Sequence, residues 1–311
     1  MKRFLLAAAV SVLASLPATA ADSPACKPIR MSDPGWTDIT STNAIASTLL
    51  KALGYEPDVK TLSVPIGYQA MKNGELDVFL GNWMPAQQRF IDDLTAAKAV
   101  EVVGTNLSGA KFTLAVPNYV AEGGVKDFKD LAAHAEKFGS EIYGIESGAP
   151  ANQNIQKMIN AGSFGLTGWK LVESGEQAML SQVKRSEGRK KWVVFLAWAP
   201  HPMNEAFKLT YLSGGDEYFG PNFGGAEVRT LARTGWTAKC PNAAAFFKNL
   251  KFDLATENAM MGKILDQGQE AGQAARAWIK EHPDALGPWL AGVTTLDGRP
   301  GLPAVKAALG L

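Results

Sequence analysis

One pattern occurs twice and constrains the fold more than any other feature: a short apolar run closed by tryptophan, one residue and proline. It reads Val78-Phe79-Leu80-Gly81-Asn82-Trp83-Met84-Pro85 in the first half and Val194-Phe195-Leu196-Ala197-Trp198-Ala199-Pro200 in the second. Runs this short and apolar read as strands covered on both faces. Each tryptophan then falls at the carboxyl end of its strand, where open α/β sheets bind ligands. Two lobes built alike would each present one indole to a shared cleft; the alternative is a chance match of two buried strands.

The rest of the chain supports two α/β lobes, each a mostly parallel sheet flanked by helices. From Ile29 the order is strand, helix, strand, helix, with turn residues between. Thr40, Ser41 and Thr42 offer N-caps for a helix carrying Ile45, Leu49, Ala52 and Leu53, and Gly54 ends it. Strands are expected at 59–64, 76–80 and 112–116, the last closed by Pro117. The pattern then restarts: Asp127 caps a helix over 128–138, a strand spans 141–145, and a helix over 151–161 follows the turn Ser147-Gly148-Ala149-Pro150. A strand over 169–172 and a helix over 176–185 precede the second Trp-x-Pro run. After Leu209–Leu212 and the glycine-rich 220–225, a strand covers 227–232, and from Pro241 the chain is mainly helical. This is a lobe that begins (22–111), is interrupted by a complete second lobe (112–212), and resumes (213–311), with a hinge near Lys111 and Leu212.

Residues 1–21 stand outside that pattern. Lys2 and Arg3 precede an apolar stretch from Phe4 to Leu16 and the small-residue site Ala18-Thr19-Ala20, the form of a secretory leader. Its apolar run is shorter than the roughly 20 residues a membrane helix needs, so an exported, periplasmic protein is expected. Loss of Lys2 and Arg3 moves the formal charge from +1 to −1, which leaves no electrostatic footprint for nucleic acid or an anionic membrane. The two cysteines, Cys26 and Cys240, lie beyond the leader in a compartment that permits disulfides, and are expected to pair. A lipid anchor on Cys26 is disfavoured because Ser23-Pro24-Ala25 lacks the leucine such a signal prefers.

Catalytic signatures do not appear: no Gly-x-Ser-x-Gly elbow, phosphate loop, His-Glu-x-x-His or dinucleotide glycine triplet follows a strand. The three histidines, His134, His201 and His282, are dispersed. His134 reads as a surface residue; His201 either lines the cleft or caps the next short helix. A binder without cofactor or metal, working as a monomer, fits better than an enzyme.

Three tryptophans stand next to turns: Trp36, Trp83 and Trp198. Indoles around one point suit a quaternary ammonium, which has positive charge but no N–H to donate. Each ring face attracts it by on the order of 0.5–2 kcal/mol. Asp38 would add a full negative charge to the cage wall. Against this, tryptophans near turns often plug a core, which is the role expected of Trp169, Trp192, Trp236, Trp278 and Trp289, and Asp38 is also a natural N-cap.

At these residues the sequence resembles the periplasmic substrate-binding proteins of ABC importers for choline and glycine betaine, most closely the choline-binding members. The motifs are Gly35-Trp36-Thr37-Asp38-Ile39, Gly81-Asn82-Trp83-Met84-Pro85, Lys111-Phe112-Thr113-Leu114-Ala115-Val116-Pro117, Ala197-Trp198-Ala199-Pro200-His201 and Gly224-Gly225-Ala226-Glu227. The resemblance implies a two-lobed flytrap fold and a membrane permease as partner. It makes Trp36, Trp83 and Trp198 the cage walls, sets Asp38 against the ligand's charge, and pairs Cys26 with Cys240. Two positions depart from the family pattern: Phe112 stands where choline binders usually have tyrosine, and Ala149 where they tend to have an asparagine that bonds the ligand's hydroxyl. Asn152 or Gln153 on the same turn is the expected replacement. Choline is therefore the expected ligand, with glycine betaine or carnitine as the rival and an exported choline-ester hydrolase or lyase as the reading from another class.

Overall fold

The computed structural model describes residues 21–311; the expected leader lies almost wholly outside the described residues. Nine strands form one mixed sheet: β1 (Pro28–Asp33), β2 (Glu56–Thr61), β3 (Val78–Met84), β4 (Val100–Pro117), β5 (Glu141–Tyr143), β6 (Lys170–Val172), β7 (Phe195–Ala199), β8 (Leu209–Tyr211) and β9 (Gly225–Arg233). Their spatial order is β2-β1-β3-β9-β4-β7-β5-β6, with β8 also paired to β4. The two outer sets, β2-β1-β3 and β7-β5-β6, are internally parallel, whereas β9 and β4 run antiparallel to their neighbours and to each other. The mostly parallel sheet expected from sequence is thus two parallel sets joined by two long antiparallel strands.

The repeated motif is also a repeat in space. β3 lies between parallel β1 and antiparallel β9, as β7 lies between parallel β5 and antiparallel β4. Every residue of β3 is buried, which explains its continuous apolar run. Met84–Pro85 and Ala199–Pro200 are both cis. One set with its helices forms each lobe, and the helix Thr37–Ala52 packs against three from the end of the chain, Leu254–Leu265, Ala271–Glu281 and Gly301–Leu309. A disulfide joins Cys26 to Cys240, tying the start of the first lobe to the segment that returns to it.

Some elements differ from the sequence reading, each for a physical reason. β4 is 18 residues long and begins well before Phe112, because bulges near Val102, Thr105 and Ser108 break the alternation that marks a strand. β2 ends at Thr61; it is a largely exposed edge strand with little apolar pattern, and Val64 instead opens the helix Val64–Lys72. The helix expected over 128–138 is three short turns. Asp127 does cap the first through a capping box with Asp130, and the three-residue spacing of buried Phe128 and Leu131 suits a 3-10 turn. The first long helix starts at Thr37, before Thr40–Thr42, with Trp36 at its N-cap and no side-chain cap from its own chain segment.

Candidate functional site

The three indoles meet. Trp36, Trp83, Trp198 and Phe112 line one cavity together with Asp38, its remaining wall made by Ala86, Gln87, Ile145, Pro150, Ala151 and Leu196. Each tryptophan is at least 93% buried. Trp36 enters from the turn after β1, Trp83 from the end of β3, Trp198 from β7 and Phe112 from β4, where it is the register partner of Trp198. Phe112 packs edge-on against Trp83, ring centres 6.4 Å apart, and against Phe219 behind it at 5.7 Å. Gly224 explains how β4 sits so close to the glycine-rich turn: it has φ +70°, and a Cβ there would lie 1.7 Å from the Phe112 carbonyl oxygen.

Indole N–H groups hold two of the rings in place. Trp83 Nε1 donates to Asp38 Oδ2 at 2.9 Å, and Trp36 Nε1 donates to both Glu146 oxygens at 2.9 and 3.0 Å. Asp38 is therefore a residue of the first helical turn that braces Trp83 and lines the cavity, not the N-cap. Its Oδ1 is buried without a partner. Burial, with the Glu176 charge adding and the Trp83 N–H opposing, raises its carboxyl from 3.8 to about 7. Burial likewise raises Glu146.

Asn152 does not line the cavity. It is 1% exposed, and its amide is consumed within its own turn: Oδ1 accepts from Ile145 N–H, and Nδ2 reaches the Ile145 and Glu146 carbonyls and Glu173. Gln153 bonds the Gly148 carbonyl from an exposed position. The replacement expected for Ala149 is therefore absent on both counts, and this end of the cavity is apolar: Ile145, Pro150 and Ala151. Gln87 reaches the wall, but its amide is engaged with Gly81, Asn82 and Tyr68.

Two acidic residues that the sequence reading passed over close the site from the second lobe. Glu146 follows β5, and Glu176, which follows β6 and opens the helix Glu176–Gly188, accepts from Thr37 N–H at 2.9 Å and Thr37 Oγ1 at 2.5 Å. The signal was available: both stand just past the carboxyl ends of second-lobe strands, the rule that singled out the tryptophans. Of the two roles expected of it, His201 takes the capping one and sits behind the cavity wall rather than in it. Its Nδ1 accepts from Met203 N–H at 2.9 Å at the start of the short helix Met203–Ala206, and its Nε2 faces Glu176 Oε1 at 3.3 Å, with its ring edge-on to Trp198. His134 is half-buried against Trp192 rather than free on the surface. Trp169, Trp236, Trp278 and Trp289 are core residues; Trp192 is half-buried at the edge. Among the described residues, no three His, Cys, Asp or Glu side chains gather as a metal-binding group, and no helix is long and apolar enough to cross a membrane.

A family model for the substrate binding domain of ABC-type glycine betaine transport systems matches residues 27–281. The chain belongs to that family. This binding protein shares its fold with a solved ABC-transporter choline binding protein in complex with choline: 54% identity, TM-score 0.92, covering 93% of this chain and all of that one. A choline binding protein in an unliganded semi-closed conformation matches at 55% identity and TM-score 0.86, over 92% of this chain and all of that one. Among characterised relatives, the glycine betaine/carnitine transport binding protein GbuC of Listeria monocytogenes is 28% identical over 170 residues, 55% of this binding protein and 54% of GbuC.

Proposed function

We propose that this binding protein captures choline between its lobes and delivers it to the membrane permease of an ABC importer. One observation carries the reading: three indoles, a phenyl ring and a buried carboxyl group with one unpartnered oxygen face a single cavity with no lysine or arginine among its lining residues. That is the environment a cation without N–H donors requires. In this reading Trp36, Trp83, Trp198 and Phe112 contact the trimethylammonium group, Asp38 supplies the countercharge, and Asn152 positions the Ile145–Glu146 turn without touching the ligand. The likeness to a choline complex at 54% identity supports the same head group.

For the lobe boundaries we propose a first crossing near residue 111, as read from the sequence, and a return crossing later than 212, because Ser213 pairs with Asp127 and the helix Asp216–Phe219 packs on Phe128 and the helix Pro150–Asn160 of the second lobe. Lys111 pairs with Gly225 on one side and Ala199 on the other, so β4 exchanges its first-lobe partner for a second-lobe partner at that residue. Bending there would open the cavity, and the ligand favours the closed form because only then do both lobes touch it. In this reading residues 1–21 are an export leader, the mature chain works in the periplasm as a monomer, and it transports rather than transforms its ligand.

One observation favours a zwitterion instead: the helix Pro150–Asn160 begins at the cavity wall, and a helix amino end attracts a carboxylate. Calorimetric titration of the mature protein with choline, glycine betaine and carnitine decides between them. Tighter binding of choline upholds the assignment, and tighter binding of either zwitterion replaces it.

A further inference from the structure

The carboxylates around the cavity come from both lobes. Asp33 and Asp38 belong to the first, Glu146 and Glu176 to the second, and the charged groups acting on Asp33, Asp38 and Glu146 are themselves carboxylates. Glu176 lies at the centre of this arrangement. It is 2% exposed, its oxygens bond Thr37 N–H and Oγ1, and Thr37 is the chain neighbour of Asp38. His201 is the basic side chain facing it, and its Nδ1 is engaged in accepting from Met203 N–H. On the first-lobe side, Asp38 meets Asp33 from β1, Trp83 from β3 and Glu257 from the helix Leu254–Leu265. None of these supplies positive charge.

Two opposing effects therefore meet at one side chain. The Thr37 bonds, made at the amino end of a 16-residue helix, favour closure. The same closure brings the Glu176 charge against Asp38 in a region sealed from water, where like charges repel strongly. We propose that Glu176 is a positioning residue that makes closure conditional on a cation: its hydrogen bonds to Thr37 latch the lobes, and its charge beside Asp38 resists the latch until a cationic ligand lies between the walls. This rests on the binder reading above but concerns how the site discriminates charge from shape, a property the aromatic walls alone do not provide.

The test uses two variants. Glu176→Gln keeps an acceptor for Thr37 and removes the charge; Thr37→Val removes the hydroxyl bond and leaves the charge. Calorimetry compares choline with dimethylbutanol, its uncharged carbon isostere, and small-angle X-ray scattering measures compactness without ligand. In Glu176→Gln the preference for choline over the isostere should fall about tenfold or more, and the ligand-free protein should be more compact than wild type. In Thr37→Val both ligands should weaken together with the preference unchanged. An unaltered preference in Glu176→Gln, or a ligand-free form no more compact than wild type, overturns the gate. If wild type binds no choline, the functional reading fails, while the ligand-free scattering comparison still judges the gate.

Discussion

Trp83 and Asp38 are joined by a 2.9 Å hydrogen bond that couples a ring of the cavity wall to a buried carboxyl group. The indole N–H holds one carboxylate oxygen and leaves the other unpartnered within the cavity wall. Ring and charge are thus set at a fixed angle before any ligand arrives, which lowers the ordering cost of binding. Replacing Asp38→Asn preserves an acceptor for Trp83 but removes the charge. Choline affinity should fall by roughly 2–4 kcal/mol, the Coulomb energy of unit charges about 4–8 Å apart at an effective dielectric near 20. Calorimetry on a variant with unchanged melting behaviour checks it; a loss below ~0.5 kcal/mol would show that the rings alone hold the cation.

If the site takes choline as proposed, the raised Asp38 carboxyl should make that binding sensitive to pH. Burial within the closed site raises it to about 7, so below that pH a cation must displace a proton, while above it the site is already charged. Affinity should therefore rise from pH 5 to about 7 and then level off. In the ligand-free protein the sign is opposite. A carboxyl raised from 3.8 to about 7 by folding contributes stability that is complete below 3.8 and lost as pH rises through about 7. The melting-temperature increment produced by saturating choline should hence be larger at pH 8 than at pH 6, and this difference should shrink in Asp38→Asn.

Trp198 supplies the second-lobe ring and is in edge contact with His201, whose ring faces Glu176. Trp198→Ala should weaken choline by roughly 1–3 kcal/mol through lost cation attraction and lost packing. Trp198→Phe should recover much of that loss, because a ring face remains. An alanine variant that binds choline as wild type does would remove Trp198 from the cage.

Gly224 sets the position of Phe112 through backbone contact. A methyl at φ +70° would overlap the Phe112 carbonyl, so Gly224→Ala must displace either β4 or the turn. Strain of this kind costs on the order of 1–3 kcal/mol. The variant should melt lower and bind choline more weakly, whereas Gly104→Ala, where a Cβ meets nothing within 4 Å, should affect choline affinity little. Equal affinities for the two variants would separate Phe112 placement from the glycine-rich turn.

Much of the site was legible because its marks are local. The Trp-x-Pro repeat shows in a few consecutive residues, and Trp36, Trp83, Phe112, Trp198 and Asp38 all reach one cavity. Asn152 was misplaced because a polar residue at a loop–helix junction can face the cavity or its own turn, and only the positions of Ile145, Glu146 and Glu173 decide which. The helix start at Thr37 was equally hidden, since part of its capping comes from Glu176, 139 residues further along the chain.

Sequence alone determined the α/β lobes, the paired cysteines and the aromatic character of the site, since alternation, apolar runs and turn residues act over short stretches of chain. Tertiary structure alone decided which carboxylates face one another. Glu146 meets Trp36 and Glu176 meets Thr37 across separations of 110 and 139 residues that carry no local signal. Hydrophobic burial is written residue by residue, whereas the electrostatics of a cleft exist only once both walls are in place.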